Sequence, residues 1–294
     1  MEKNQNTPAE VQRVSFWAEL WRDFKKNRGA VLGMVLLFLI VIVAVAAHFL
    51  IDYEEQIIAM NISEIFQKPS REHLFGTDSY GRDIFLRLLY GAQYSLVIGT
   101  CSVLVSLVVG SGLGVIAGYF GGAVEMVIMR IMDVFSPIPG MLLAICLTTA
   151  FGRKIYILML AIGITAVPAF AQVARASVMT IRDQEFIEAA RTSGAREYQI
   201  IFSHVLPNAF APILVQATLQ IASAIIAASG MSFLGLGVPV PIPEWGAMLS
   251  DGRSFMRDYS YMTFFPGLAI MITVLSINMI GDGLRDAMDP RLKR

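Results

Sequence analysis

The sequence has few charged residues. Only 16% of its 294 residues are Asp, Glu, Lys or Arg, whereas soluble domains carry about 25%. Hydrophobic residues make up 55%, and the mean hydropathy is +0.61. The formal net charge is zero, so the chain lacks the overall positive field that favours nucleic acid as a partner. This composition excludes an ordinary soluble domain and predicts an all-α membrane protein.

Signatures of catalysis and metal binding are also missing. The dipeptide Gly-Lys does not occur, so there is no G-x-x-x-x-G-K-[ST] phosphate loop, and there is no H-E-x-x-H, C-x-x-C or G-x-S-x-G motif. The two cysteines, Cys101 and Cys146, lie in apolar runs, and we expect both to be core side chains. The sequence therefore predicts a non-catalytic chain that has no cofactor or metal of its own.

Six stretches are long and apolar enough to cross a bilayer, which takes about 20 helical residues. They cover residues 30–51, 94–119, 124–151, 155–178, 209–234 and 262–280. Pro137 and Pro139 should kink or break the third stretch. The first is longer than the ~7–15 apolar residues of a signal peptide, which favours an uncleaved anchor.

Basic residues predict the orientation of these spans. Lys25, Lys26 and Arg28 directly precede the first span, which places the N-terminus in the cytoplasm. Six crossings return the C-terminus, with its own Arg285, to the same side. The chain then divides into a cytoplasmic amphipathic leader, a first transmembrane helix, an extracytoplasmic loop and a five-helix core, at residues 1–29, 30–51, 52–93 and 94–294.

The leader has aromatic and aliphatic residues at helical spacing, namely Phe16, Trp17, Leu20, Trp21 and Phe24. Two interpretations are equally compatible with this pattern. The helix lies on the cytoplasmic membrane surface, or it packs on the protein's own cytoplasmic face.

The cytoplasmic stretch 182–208, between the fourth and fifth spans, carries the strongest signal. Good helix formers predict one helix over residues 184–193, and Gly194 is suited to end it. A second helix is predicted over residues 196–205, and Pro207 then falls in the first turn of the fifth span, where a missing N–H costs little. We expect an amphipathic helical hairpin that inserts into a groove on a partner.

This hairpin resembles the EAA loop of binding-protein-dependent ABC importer permeases. The matching residues have the family's spacing and are Glu188, Ala189, Ala190, Gly194, Leu206 and Pro207. His204 stands where the generic pattern has an aliphatic residue, but its surroundings are similar to the peptide-importer branch. In that family the loop docks an ATPase subunit, so the resemblance implies that these six residues couple the chain to an ATPase. We call residues 182–208 the coupling loop.

Three further stretches resemble the C-type permease subunit of the dipeptide, oligopeptide and nickel importers. They are residues 73–83, residues 232–249 and residues 281–290. The resemblance implies a type I importer permease with six transmembrane helices and both termini in the cytoplasm. It also implies that the chain forms half of a translocation pathway in the bacterial cell membrane.

The partners implied by the resemblance are all parts of such an importer. They are a second homologous permease subunit, two cytoplasmic ATPases that bind ATP and Mg, an extracytoplasmic solute-binding protein and the lipid bilayer. Peptide is favoured as the substrate only through the resemblance, and nickel or another small solute stays open. A self-sufficient secondary transporter would need coupling-ion sites, but spans one, two, four and five contain no acidic residue.

Polar residues inside the spans are the remaining candidates for a functional role. Gln216 and Gln220 share a face of the fifth span, where they either line a polar path or bond to a neighbouring helix. Arg130 and Asp133 are three residues apart, and we expect them to pair.

Small residues recur every four positions along the second span, at Ser102, Ser106, Gly110, Gly114, Gly118 and Gly122. We interpret this stripe as a surface for close helix packing; a surface that slides during transport is the alternative. Outside the membrane, we expect the first loop to fold back on itself, with Asp78 and Asp83 binding backbone N–H groups; contact with a substrate-delivery protein is the alternative.

Overall fold

The computed structural model describes residues 16–288, and predictions that concern residues 1–15 or 289–294 lie outside this range. Its α-helices are α1 (Phe16–Phe24), α2 (Arg28–Leu50), α3 (Ile84–Phe120), α4 (Gly122–Phe135), α5 (Gly140–Phe151), α6 (Ile155–Met179), α7 (Glu185–Thr192), α8 (Glu197–Ile200), α9 (Leu206–Phe233), α10 (Trp245–Gly252) and α11 (Tyr261–Met288). Short π-helices cover Tyr53–Ile58 and Ile201–Val205, and 3₁₀ turns cover Ile62–Glu64 and Arg253–Phe255.

Six segments connect the two ends of the helical bundle. Five of them, α2, α3, α6, α11 and the continuous stretch Glu197–Phe233, are long and apolar enough to span a bilayer. The sixth is the pair α4 and α5, which is bent by 84°. α3 and α6 run parallel, because Gly110 and Gly118 of α3 lie beside Val167 and Arg175 of α6. The pair between them therefore crosses back as one broken span. The all-α architecture with six spans is confirmed.

The break in the third span lies where the prolines predicted it. Pro137 and Pro139 occupy the short connection between α4 and α5. Proline lacks the N–H that an α-helix requires and clashes with the preceding turn, so the helix ends before them.

Both ends of the described chain lie on the same side of the bundle. The Asn27 side-chain amide, just before α2, donates a 3.0 Å hydrogen bond to Asp286 near the end of α11. The side chains of Leu20 and Phe24 on α1 are buried against Ala30 and Ala287. The leader therefore packs on the protein's own cytoplasmic face, as one of the two interpretations expected, although Phe16 and Trp17 have no described side chains.

The main hydrophobic core lies between α3, α6 and α9. These helices contribute large side chains that are at most 2% exposed, namely Ile98, Leu158, Phe170, Ile213 and Met231. α2 and α11 pack together beside this core. A Cβ atom added at Gly33 of α2 would lie 2.6 Å from the carbonyl oxygen of Ser276 on α11, so the two backbones are in direct contact.

The predicted stripe of small residues on α3 packs against α6. A Cβ atom added at Gly110 would lie 2.6 Å from the carbonyl oxygen of Val167, and one added at Gly118 would lie 2.8 Å from that of Arg175. Only glycine lets two helix backbones approach so closely. The packing interpretation is confirmed as far as Gly118. Gly122 begins α4 instead, and a Cβ atom there would meet nothing within 4 Å, so its inclusion in the stripe is wrong.

α3 begins ten residues before the predicted second span, at Ile84 rather than residue 94. The Asp83 carboxylate caps it by accepting a 2.9 Å hydrogen bond from the Leu86 N–H. The first turns of α3 are buried against the outer loop and include Arg87. Because they are not uniformly apolar, hydropathy did not mark them as helix. The predicted outer loop 52–93 is therefore shorter, and we call residues 51–83 the outer segment.

The outer segment folds back on itself, as expected. The Asp78 carboxylate accepts hydrogen bonds from the Tyr80 N–H at 2.8 Å and from the Arg82 N–H at 3.0 Å. Gly76 and Gly81 both have positive φ angles, of 77° and 73°. Glycine adopts such angles without strain. The expected roles of Asp78 and Asp83 in binding backbone N–H groups are confirmed.

A buried carboxylate joins the outer parts of α10 and α3. Glu244 caps α10 by accepting 2.9 Å hydrogen bonds from the N–H groups of Gly246 and Ala247, and its carboxylate also contacts Ser95 Oγ on α3 at 3.5 Å. Burial raises the pKa of the Glu244 carboxyl. A Cβ atom added at Gly246 would collide with Ser229 of α9, so α10 lies directly on the outer end of α9.

The close packing of α3 on α6 generates a stability prediction. Gly110→Ala should lower the melting midpoint of the purified protein in detergent, because its Cβ atom has no space; overpacking of this kind costs about 1–3 kcal/mol. Gly112→Ala is the matched control on the same helix, since a Cβ atom there meets nothing within 4 Å. Equal melting midpoints for the two variants would contradict the packing.

The six-span topology generates a labelling prediction. Arg196→Cys, at an exposed position of the coupling loop, should react with a membrane-impermeant thiol reagent only from the cytoplasmic side. Leu74→Cys, at an exposed position of the outer segment, should react only from outside. Intact cells and inverted vesicles give the two measurements. Reaction of the Arg196→Cys variant from outside would invert the topology.

This experiment requires a background without cysteine. Cys101 is half-buried but Cys146 is exposed, so the expectation that both are core side chains is wrong for Cys146. α5 buries Ala144 and Thr148, which are one turn apart, and Cys146 lies between them on the opposite side. Both cysteines are therefore replaced by serine before labelling.

Candidate functional site

The first arm of the coupling loop is α7, an amphipathic helix of eight residues. Glu185 and Glu188 lie in its first turn, where negative side chains interact favourably with the helix dipole. Ile187 is fully buried, whereas Glu188 and Ala189 are exposed and Ala190 is half-buried against the core. The helix is thus attached by one face and leaves the other exposed.

Gly194 ends this arm, as predicted. Its φ angle is +84°, in the left-handed region that favours glycine. The N–H of Ala195 donates a 3.2 Å hydrogen bond back to the carbonyl oxygen of Ala190, which closes the end of α7. A Cβ atom at Gly194 would meet nothing within 4 Å, so the turn is open to its surroundings.

The second arm is not a separate helix, and in this respect the predicted hairpin is wrong. α8, the π-helix Ile201–Val205 and α9 form one continuous helical stretch, Glu197–Phe233, that runs through the membrane. Pro207 lies in the first turn of α9, as predicted, although the π-helix precedes α9 without a break. The side-chain amide of Asn208 donates a 2.6 Å hydrogen bond to the carbonyl oxygen of His204.

Three aliphatic side chains attach both arms to the membrane core. Ile187 comes from the first arm, and Ile200 and Val205 come from the second; all three are fully buried. They belong to the same hydrophobic cluster as Val178 and Ile181 at the end of α6. Leu206 packs at the edge of this cluster. The coupling loop is therefore continuous with the core that α3, α6 and α9 share.

Charged side chains also link different helices at the end of the bundle that carries the coupling loop. Arg175 on α6 donates a 2.7 Å hydrogen bond from Nε to Glu125 at the start of α4. Arg182, the first residue of the coupling loop, donates from Nη1 to the carbonyl oxygen of Gly118 at 2.8 Å. Sequence reasoning missed the roles of Glu125, Arg175 and Arg182, since their partners lie on other helices.

Both arms of the loop expose aromatic side chains. In the first arm, Phe186 is 41% exposed, close to the exposed Glu188 and Ala189. Tyr198 and Phe202, four residues apart, are 54% and 67% exposed. Exposed aromatic side chains are typical of surfaces that bind another protein. The six predicted coupling residues thus fall into attached positions (Ala190 and Leu206) and exposed ones (Glu188, Ala189, Gly194 and Pro207).

The two glutamines predicted for the pathway are half-buried on α9. Gln216 lines an open cleft of about 420 Å³ between α6, α9 and α11, together with Val173 and Arg285. Gln220 lies one turn further along and does not line this cleft. Their role in a translocation path stays a prediction.

The predicted pair of Arg130 and Asp133 does not form. Both side chains are exposed on α4, and no ion pair joins them within residues 16–288. α4 contacts the bundle mainly through the face that carries Met129 and Met132. The charged side chains extend away from that face, so neither is directed to the other by neighbouring helices.

Family comparison covers most of the chain. The family described as binding-protein-dependent transport system inner membrane component matches residues 110–294, and the N-terminal transmembrane domain of oligopeptide transport permease C matches residues 15–69. The dipeptide transport system permease protein DppC of Alkalihalophilus pseudofirmus is 45% identical, over 95% of this chain and 91% of that protein. The glutathione transport system permease protein GsiD of Pectobacterium atrosepticum is 41% identical, over 94% and 92%.

A solved structure shares the fold. The methionine ABC transporter MetNI in an inward-facing conformation matches with a TM-score of 0.58 and 19% identity, over 70% of this chain and 98% of that one. Together with six spans and a coupling loop attached to the core, these matches show that the chain belongs to the binding-protein-dependent ABC importer permeases and is a multi-pass permease subunit of the bacterial cell membrane.

Proposed function

We propose that this chain forms half of the translocation pathway of an ATP-driven importer of short peptides and docks an ATPase through its coupling loop. ATP and Mg bind to the ATPase partners, and this chain itself catalyses no reaction. A second, homologous permease subunit supplies the other half of the pathway. An extracytoplasmic solute-binding protein delivers substrate to the outer face.

The observation that carries the docking proposal is the two-sided character of α7. Ile187 is fully buried in the membrane core, and Glu188 and Ala189 on the same helix are exposed. A partner that binds the exposed side therefore acts on a helix that is already attached to α6 and α9. The short side chain of Ala189 lets a partner helix or groove approach closely, and Glu188 offers it a negative charge.

A helix connects the coupling loop directly to the membrane-spanning bundle, so a force applied to the loop acts on that helix. The second arm continues without a break into α9, which crosses the bilayer and meets α10 at its outer end. ATP binding favours one of two conformations of the ATPase pair. The coupling loop, which is bound to the ATPase, then shifts the membrane spans towards the matching conformation of the pathway. Such a shift requires that the partners bind the two states with different affinity.

The proposed substrate class follows from the named relatives. One is a dipeptide permease and another is a glutathione permease, and glutathione is itself a short peptide. Selectivity is expected to depend largely on the solute-binding protein. Competition between a labelled dipeptide and Ni²⁺ for ATP-dependent uptake distinguishes a peptide importer from a nickel importer.

The docking proposal predicts the effect of enlarging the exposed alanine of α7. Ala189→Trp should prevent the ATPase from approaching, so the tagged chain should retain much less ATPase when it is purified in mild detergent. A steric penalty of about 1.4 kcal/mol already weakens a complex about tenfold. ATP-driven uptake in proteoliposomes should fall with it, while insertion of the chain into the membrane stays normal.

The matched control is Ala59→Trp, the same change at an exposed alanine of the outer segment. It should leave ATPase retention unchanged. Normal ATPase retention by Ala189→Trp would place the docking surface elsewhere. A wild-type chain that purifies without ATPases and moves solute in liposomes without ATP would be a secondary transporter, and the proposal would fail.

A further inference from the structure

Tyr119 lies at the cytoplasmic end of α3, where the membrane core meets the coupling loop. Its side chain is 8% exposed, and its ring belongs to the same hydrophobic cluster as Ile187 and Ile200. Apolar packing therefore holds the ring in place independently of the hydrogen bonds of its hydroxyl group.

The hydroxyl group of Tyr119 contacts both arms of the coupling loop. It donates a hydrogen bond to the carboxylate of Glu197 in the second arm. It accepts one from Nη2 of Arg191 in the first arm, at 3.3 Å. Nε of Arg191 also lies 3.8 Å from Oε1 of Glu197. One oxygen atom thus joins the end of α3 to both arms of the loop, which lie 72 and 78 residues further along the chain.

This contact lies beside the turn at Gly194, where the backbone of the loop is exposed. The two arms meet at Gly194, which has no side chain and whose backbone is open to its surroundings. The ion pair of Arg191 and Glu197 would contribute little by itself, because both side chains are about half exposed and exposed pairs are weak. The Tyr119 hydroxyl group, whose ring is buried, holds the side chains of that ion pair in one position.

The end of α3 that carries Tyr119 is itself held in place. A Cβ atom added at the preceding Gly118 would lie 2.8 Å from the carbonyl oxygen of Arg175 on α6, and Arg182 Nη1 donates to the Gly118 carbonyl at 2.8 Å. Tyr119 therefore connects the loop to the most closely packed helix pair of the bundle.

We infer that Tyr119 is a positioning residue, whose hydroxyl group fixes the angle between the two arms of the coupling loop and the end of α3. This inference rests on the proposed function of the loop. Without the hydroxyl group, the loop still docks the ATPase through the exposed face of α7. Part of the motion imposed by the ATPase then displaces the arms relative to α3 instead of moving the spans.

The experiment uses Tyr119→Phe in the complete importer, reconstituted in liposomes with its ATPases, sibling permease and binding protein. The ring remains, so the melting midpoint of the purified complex and ATPase retention should stay close to wild type. The ratio of substrate imported to ATP hydrolysed should fall severalfold, because the arms can then shift relative to α3. Tyr156→Phe removes an exposed tyrosine hydroxyl at the outer end of α6 and should leave the ratio unchanged.

A double-mutant cycle identifies the contact responsible. Glu197→Ala should lower the ratio as well, and the double variant Tyr119→Phe with Glu197→Ala should be no worse than the more severe single variant. Additive losses, or a wild-type ratio in Tyr119→Phe, would overturn the inference. A lower melting midpoint with an unchanged ratio would also overturn it, since that outcome describes a purely structural side chain.

Failure of the proposed function gives a different result. In that case the wild-type chain itself does not retain ATPases, and Ala189→Trp has no effect on uptake. If wild type couples normally and Ala189→Trp does not, but Tyr119→Phe behaves like wild type, only the role of Tyr119 is wrong.

Discussion

The burial of three aliphatic side chains, Ile187, Ile200 and Val205, is the interaction on which the functional account depends. Each is fully buried, and burying one such side chain is worth about 1.5–3 kcal/mol. They make a cytoplasmic loop part of the membrane core, so that a partner holding the loop also holds the spans.

The core that receives these side chains is closely packed. Glycine residues of α3 bring its backbone against that of α6, where no larger side chain fits. Closely packed interfaces of this kind change between discrete arrangements rather than deforming gradually. α3 and α6 form a closely packed frame, and α9 extends from the loop to α10 at the other membrane surface. Glu244 completes this frame at the outer end by joining α10 to α3.

Local chemistry made much of this structure predictable. Apolar length located the spans, Pro137 and Pro139 located the break in the third, and Gly194 located the end of α7. These features depend on residues close in sequence. The start of α3 was missed because its first turns are buried by protein and include Arg87, so hydropathy did not mark them. The continuity of the second arm with α9 was missed because Pro207, which favours the first turn of a helix, is preceded here by a π-helix rather than by a break.

Contacts between distant residues were beyond the reach of sequence patterns. Arg175 with Glu125, and Tyr119 with Arg191 and Glu197, are separated by 50 or more residues. Nothing in the local sequence distinguishes these side chains from other polar residues near a membrane surface. Conversely, Arg130 and Asp133 have the spacing of a helical ion pair, but they lie on the exposed side of α4, which contacts other helices through its opposite face. Spacing permits such a pair without enforcing it.

The central claim is that the coupling loop and the membrane spans of this chain move as one body. The most direct test is the distance between spin labels attached at Thr192→Cys, at the end of α7, and Ser223→Cys, at an exposed position of α9, with Cys101 and Cys146 replaced by serine. In the assembled importer this distance should change by less than about 2 Å between the ATP-free and ATP-bound states. A larger change within this chain, while the ATPases stay bound, would show that the loop moves independently of the spans and would contradict the account.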